Sequence, residues 1–144
     1  MRLVDYLDKG AQLGAHSPCL TMGGSSLSYA QVQRISWRVA RGLQRAGIRP
    51  GDKVAVLSSN DATAFATVFG ISRAGCVWCP INPRNEAGEN AYVLDAFDCA
   101  CLVFHGNYAA MVEQMRPQLP KLRALVCLDQ RQPFAPSLDD WLEG

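Results

Sequence analysis

GIRPGDKVAVLSSN, residues 47 to 60, decides the fold. Val54, Ala55, Val56 and Leu57 are apolar without a break, whereas a strand with one wet face alternates apolar and polar side chains. Both faces of this strand must therefore be covered, the mark of a parallel strand sandwiched between helices. Pro50-Gly51-Asp52 supplies the turn into it, and Asn60 or Asp61 stands where the next helix needs a cap.

Upstream of this strand, Ser28 is placed to open a helix. Its hydroxyl can accept from the Gln31 amide while the Gln31 side chain returns to the Ser28 amide, the reciprocal capping box. Val32, Ile35, Val39, Leu43 and Ala46 follow at helical spacing, and Gly47 closes the helix where a left-handed residue costs least. Before it, Cys19–Met22 and Ser26–Ser28 flank Gly23-Gly24, which predicts a small hairpin over 18–29.

Downstream, a second helix runs from the Asn60/Asp61 cap to about Ala74 and ends at Gly75. Gly70 inside it costs about 1 kcal/mol against alanine, which a closely packed neighbouring backbone would explain. A short strand is expected at Cys76–Cys79, a loop at Pro80–Arg84, and a third helix at Glu86–Phe97 with Ala87, Ala91, Leu94 and Phe97 inward. Strands at Cys101–Phe104 and Ala124–Leu128 enclose a helix over Tyr108–Met115 that Pro117 terminates. Leu138, Trp141 and Leu142 suggest one last amphipathic turn. Strands alternating with helices imply an α/β fold, a parallel sheet with helices on both faces.

The 144 residues fit a single domain, 1–144, with 49% hydrophobic and 19% charged residues. A net charge of +1 argues against a nucleic-acid partner. Asp5 and Asp8 interrupt any export signal, and no apolar run reaches the roughly 20 residues of a membrane span, so a cytoplasmic protein is expected.

Several groups invite chemistry. Cys76-Val77-Trp78-Cys79 is a CxxC, but residues three apart on a strand face opposite ways, and Cys99-Ala100-Cys101 is no second zinc pair. All six cysteines, Cys19, Cys76, Cys79, Cys99, Cys101 and Cys127, are therefore read as small hydrophobes. Arg34, Arg38, Arg41, Arg45 and Arg49 run opposite the apolar stripe of their helix, with no acidic residue between Asp8 and Asp52. They form either a solvated face or a patch for phosphates, lipid head groups or RNA.

Gly23-Gly24-Ser25-Ser26 reads as a turn, since no lysine follows it, and neither GxGxxG nor Walker A occurs. His105 follows a strand, at the end where ligands gather in open α/β sheets, but no partner is visible beside it. His16, the other histidine, has no assigned role. Asp95 and Asp98 do not make an acid pair.

Leu27-Ser28-Tyr29, Pro50-Gly51-Asp52, Arg73-Ala74-Gly75 and Pro80-Ile81-Asn82-Pro83 together resemble the opening of the adenylate-forming (AMP-dependent) enzymes. That superfamily includes acyl-CoA synthetases, firefly luciferase and peptide-synthetase adenylation domains. The resemblance spans about residues 20 to 105 and implies the N-terminal subdomain of the acyl-CoA synthetase-like fold. It also implies a Ser/Thr/Gly-rich phosphate loop ending in lysine further on, and a mobile C-terminal domain bringing a catalytic lysine.

Neither part is found, and Lys9, Lys53 and Lys121 match neither family lysine. The chain is thus expected to be the front piece of a fatty-acid–CoA-ligase-like enzyme, an inactive scaffold on its own. No catalytic, cofactor-binding or metal residue is assigned; ATP, Mg and CoA are implied for the parent enzyme only. The remainder of the ligase is the expected partner, with self-association of the chain alone. A peptide-synthetase adenylation fragment and a stand-alone α/β binding module are the alternatives.

Two departures from the family pattern stand out. Glu86-Ala87-Gly88-Glu89-Asn90 replaces the usual Thr-Pro-Glu-Glu-Leu and puts Asn90 where leucine is common. Asn107–Met111 also lacks the arginines that meet CoA phosphate in some relatives.

Overall fold

A computed structural model describes residues 2–143. Helix α1 (Leu3–Gly14) leads into the hairpin β1 (Pro18–Met22) and β2 (Ser25–Ser28), then α2 (Tyr29–Arg45), β3 (Lys53–Leu57) and α3 (Ala62–Arg73). There follow β4 (Val77–Ile81), α4 (Ala87–Ala96), β5 (Cys101–Phe104), α5 (Ala109–Met115), β6 (Ala124–Cys127) and α6 (Leu138–Glu143). The strands β3 to β6 form one parallel sheet in the order β4-β3-β5-β6.

The unbroken apolar run behaves as expected. Val54 and Val56 join Cys101, Val103 and Val126 beneath α2, α3 and α6, while Ala55 and Leu57 join Leu102, Phe104 and Cys127 beneath α4 and α5. All four residues of the run are at most 7% exposed. Both faces are dry, as the absence of alternation requires.

Local signals set most boundaries. The Ser28–Gln31 capping box forms in both directions, at 3.2 and 2.8 Å, and Asp61 rather than Asn60 caps α3, accepting from the Ala64 amide at 2.9 Å. Gly47 and Gly75 follow α2 and α3 at φ of 80° and 76°, a region costly for any side chain. A Cβ at Gly70 would meet the Val39 side chain and lie 3.0 Å from the Ser36 carbonyl oxygen, so α2 and α3 touch backbone to backbone there.

Three elements differ from expectation. The strand expected at 76–79 lies at Val77–Ile81 and takes in Pro80. Because the Val77 amide points inward to Asp52 O, the amides of residues 78 and 80 point outward by alternation. Proline at 80 on this edge strand therefore sacrifices no ladder bond. The third helix stops at Ala96, so Phe97, expected inside, turns out to 52% exposure and lies under Lys53 Nζ, 5.3 Å from its ring. Asp98 at φ 55° then redirects the chain and Cys99 fills the core below.

Helix α1 is the third, unforeseen element. It buries only Val4 and Leu7, too short a stripe to establish a period, and tertiary contacts hold it. Its Val4 amide donates to Ser72 Oγ at 3.1 Å. Arg73 reaches Asp8 with Nη2 at 2.6 Å and Nη1 at 3.2 Å, and donates from Nε to Ser36 Oγ at 3.0 Å. The guanidinium also lies 4.2 Å from the Trp37 ring centre. One arginine, its side chain 6% exposed, thus joins α1, α2 and α3.

Candidate functional site

The winding of the sheet places the candidate site. From β3 the chain crosses over α3 to β4, then returns past β3 through α4 to β5, so α3 and α4 cover opposite faces. Between β3 and β5 the connections leave in opposite directions. In open α/β sheets such a reversal opens a crevice at the carboxyl ends of the strands.

One wall of this crevice is the Ser58–Asp61 turn after β3. The other is His105, whose amide donates to Leu57 O at 2.9 Å and ties the two strand ends together. The Asn107 amide donates to His105 Nδ1 at 3.1 Å. That bond leaves Nε2 to carry the proton, and Nε2 faces Asp129 Oδ2 at 3.6 Å. Asp129 Oδ1 accepts from the Gly106 amide at 2.7 Å and faces Cys127 Sγ at 3.4 Å. Partial burial opposes ionisation of Asp129, yet the Gly106 amide, the Cys127 thiol and His105 together hold its pKa below the usual carboxylate range.

His105 therefore has the carboxylate partner that its own neighbourhood in sequence does not show. Asp129 arrives from the end of β6, and only the sheet brings the two together. No signal in either local sequence announces the pair.

Beside the crevice, on the α3 side, lies an open cleft of about 230 Å³ lined by Ser59, Asp61, Phe65, Val68, Trp78 and Pro80. Its walls are mainly apolar. A neighbouring hollow shares Phe65 and Asp61 and adds Leu20 and Met22. Phe65, Trp78 and Met22, all more than 40% exposed, rim this connected apolar surface.

The loop after β4 is held from within. Asn90, 1% exposed, donates to Asn82 O at 3.0 Å and accepts from Asn85 at 3.5 Å. Asn82 Oδ1 in turn accepts from the Arg84 amide at 2.9 Å. The residue that breaks the family pattern is the anchor of the Ile81–Arg84 turn, and α4 begins without a side-chain cap as its sequence suggests. Asn90→Ala should cost about 2 kcal/mol in urea unfolding, the price of stranding the Asn82 carbonyl, and should speed amide exchange at 82–86.

The remaining candidates are accounted for as structure. Cys76 packs on the α2/α3 side of the sheet and Cys79 on the α4/α5 side, so the CxxC does not converge. All six cysteines are free. Burial pushes Cys101 up to about 12 and Cys76 to about 11, with the charge of Asp52 adding to the latter, values that keep both as unreactive thiols. Asp95 and Asp98 both face Lys121, at 3.3 and 2.7 Å. Lys9 is exposed on α1. Gly23-Gly24 is the hairpin turn. Among the described residues, no three His, Cys, Asp or Glu side chains converge as metal ligands.

The family model for "AMP-binding enzyme" matches residues 7–143. The chain belongs to the AMP-binding enzyme family. Feruloyl-CoA synthase of Amycolatopsis sp is 34% identical over 102 residues, 71% of this chain and 21% of that protein. The fatty acid–acyl-carrier-protein ligase ScoC of Streptomyces coeruleorubidus is 32% identical over 119 residues, 83% of this chain and 23% of its own.

In fold, the anthranilate CoA ligase AuaEII superposes with a TM-score of 0.91 at 24% identity, over 99% of this chain and 27% of that one. The Mycobacterium tuberculosis fatty acyl CoA synthetase gives 0.86 at 22%, over 99% and 28%. The chain spans about a fifth of the length of the curated relatives it matches. Its α/β sheet with helices on both faces and a small hairpin is the architecture that the motifs of this AMP-binding family member imply.

Proposed function

We propose that this chain is the N-terminal scaffold of an ATP-dependent acid–CoA ligase, which joins a carboxylate to AMP and then passes the acyl group to CoA. The single observation that carries the reading is the family match over 7–143, with CoA ligases prominent among the relatives. Fatty or aromatic acids are the substrate class, and the cytoplasm is the proposed location. No helix among the described residues is long and apolar enough to cross a membrane.

The residues present do not fit ATP or Mg²⁺. Lys53 lies over Phe97 and Lys121 between two aspartates, so neither is free for a triphosphate. No glycine-rich, lysine-ended loop follows any strand. The chemistry therefore belongs to parts of the parent enzyme beyond these segments, and the present residues position them.

Purified 144-residue protein is expected to show no carboxylate-dependent ATP–pyrophosphate exchange; turnover by this polypeptide alone would overturn the scaffold reading. Supplying the following segment, read from the codons after Gly144, should restore exchange with fatty or aromatic acids. Exchange with amino acids instead would favour a peptide-synthetase adenylation domain, a reading supported by the 34% identity over 107 residues to AmbE of Pseudomonas aeruginosa. A stop codon there would favour a stand-alone module.

The exposed apolar rim around Phe65 and Trp78 is the surface we assign to the remainder of the ligase. Without that cover, two copies of the chain should pair through it. Light scattering is expected to give a dimer that Trp78→Ser returns to monomer; a wild-type monomer at high concentration would refute the pairing.

A further inference from the structure

We propose that the outer crest of α2, built from Arg34, Arg38, Arg41 and Arg45 with Trp37 at its margin, docks on the anionic face of a lipid bilayer. Arg34, Arg38, Arg41 and Arg45 recur at four, three and four residues, which stacks them along one line about 16 Å long at the helical rise. The line points away from the core. Val32, Val39 and Leu43 occupy the opposite side of α2, α1 flanks it through the Asp8–Gln33 hydrogen bond, and α6 flanks it through Trp141 over Gly42.

The four charges are not neutralised. Among the described residues, none of the four guanidiniums lies within 4.0 Å of a carboxylate. Arg45 donates to the Trp141 and Leu142 carbonyls at 2.8 and 3.4 Å, which fixes its position and leaves its charge. The acids brought near by α6, Asp139, Asp140 and Glu143, stay beyond pairing distance, and Asp8 on α1 is committed to Arg73.

Shape selects the partner. The crest of the helix stands out from the surface, and its four arginines line none of the principal clefts among the described residues, so they offer a free phosphate or nucleotide no enclosing walls. Trp37 is half exposed, but the Arg73 guanidinium occupies one face of its ring, which leaves no open sandwich for a nucleobase. A row of arginines beside an amphipathic indole is the composition that rests at a charged membrane–water boundary. Neither a span nor a lipid anchor is needed, and the association is reversible.

The test is co-sedimentation of the 144-residue protein with phosphatidylcholine vesicles, with and without phosphatidylserine as about a third of the lipid. Wild type should prefer the anionic vesicles by about 100-fold or more and be released between about 0.05 and 0.5 M salt. The triple variant Arg34→Gln/Arg38→Gln/Arg41→Gln should lose about fivefold per arginine, about 100-fold together. Arg84→Gln, an arginine in the loop after β4 and outside the crest, should change nothing.

Equal binding of wild type to both vesicle types overturns the proposal, as does an unaffected triple variant. Displacement by inorganic phosphate at matched ionic strength would mark a discrete anion site, and tighter binding to single-stranded RNA a nucleic-acid surface; either result also sinks it. Should the triple variant fail to fold, the lipid preference and salt release of wild type decide.

Discussion

Asp8→Asn is expected to destabilise the protein by about 2–3 kcal/mol, read from urea unfolding monitored by circular dichroism. Breaking a fully buried ion pair from one side costs about 3–5 kcal/mol, because the other charge stays behind without a partner. Here the Arg73 side chain is 6% exposed but that of Asp8 is 33%, so the expected cost falls at or below the bottom of that range. Asparagine keeps one accepting oxygen but removes the charge and replaces the second acceptor of the Arg73 pair with a donor.

The effect has a definite pH signature. The Arg73 hydrogen bond, working against partial burial and helped by Gln33, holds the Asp8 carboxyl below its ordinary value. A depressed folded pKa means that the stabilisation is complete above the unfolded value of about 3.9 and is lost as pH falls through the folded one. Wild type and variant should therefore differ most near neutrality and converge in acid. A gap that persists unchanged at acid pH would mean that packing rather than charge holds α1. Arg73→Met with Asp8→Asn should cost less than the two single changes summed.

The second large effect is expected at Gly70. Alanine raises helix propensity by about 1 kcal/mol, which taken alone would stabilise α3. The added carbon, however, meets the Val39 side chain and the Ser36 carbonyl oxygen, and neither is the free end of a flexible chain. Separating α2 from α3 should cost about 1–3 kcal/mol. The net expectation for Gly70→Ala is a loss of up to about 2 kcal/mol, and for Gly70→Leu more than about 3 kcal/mol. Stabilisation by alanine would show that the helices can part freely.

Most of the sheet was legible because its determinants are local. Val54–Leu57 needs no partner to declare itself buried, Ser28 and Gln31 cap each other within one turn, and Gly70 announces a close neighbour without naming it. What escaped depends on contacts distant in sequence. Leu3–Gly14 is a helix because Arg73 and Ser72 hold it, and nothing within LVDYLDKG records that. Phe97 keeps the helical spacing yet leaves the core because the helix ends one residue earlier.

The candidate site was legible only in outline. Motifs pointed to the family and a strand-end position pointed to His105, but strand order is not written in periodicity. Only the order β4-β3-β5-β6 places His105 at the reversal and carries Asp129 to it. Asn90 is instructive in the opposite sense: a departure from the family pattern that stands where leucine is common, it proves to be the post around which the neighbouring turn is tied.

Pro80 has a consequence for how the protein fails. The outer margin of β4 lacks one of the hydrogens that a foreign strand would need, so fibril growth from that margin is blocked at its first step. Clumping at the Trp78 rim must then proceed through greasy side chains alone, and dilution should reverse it.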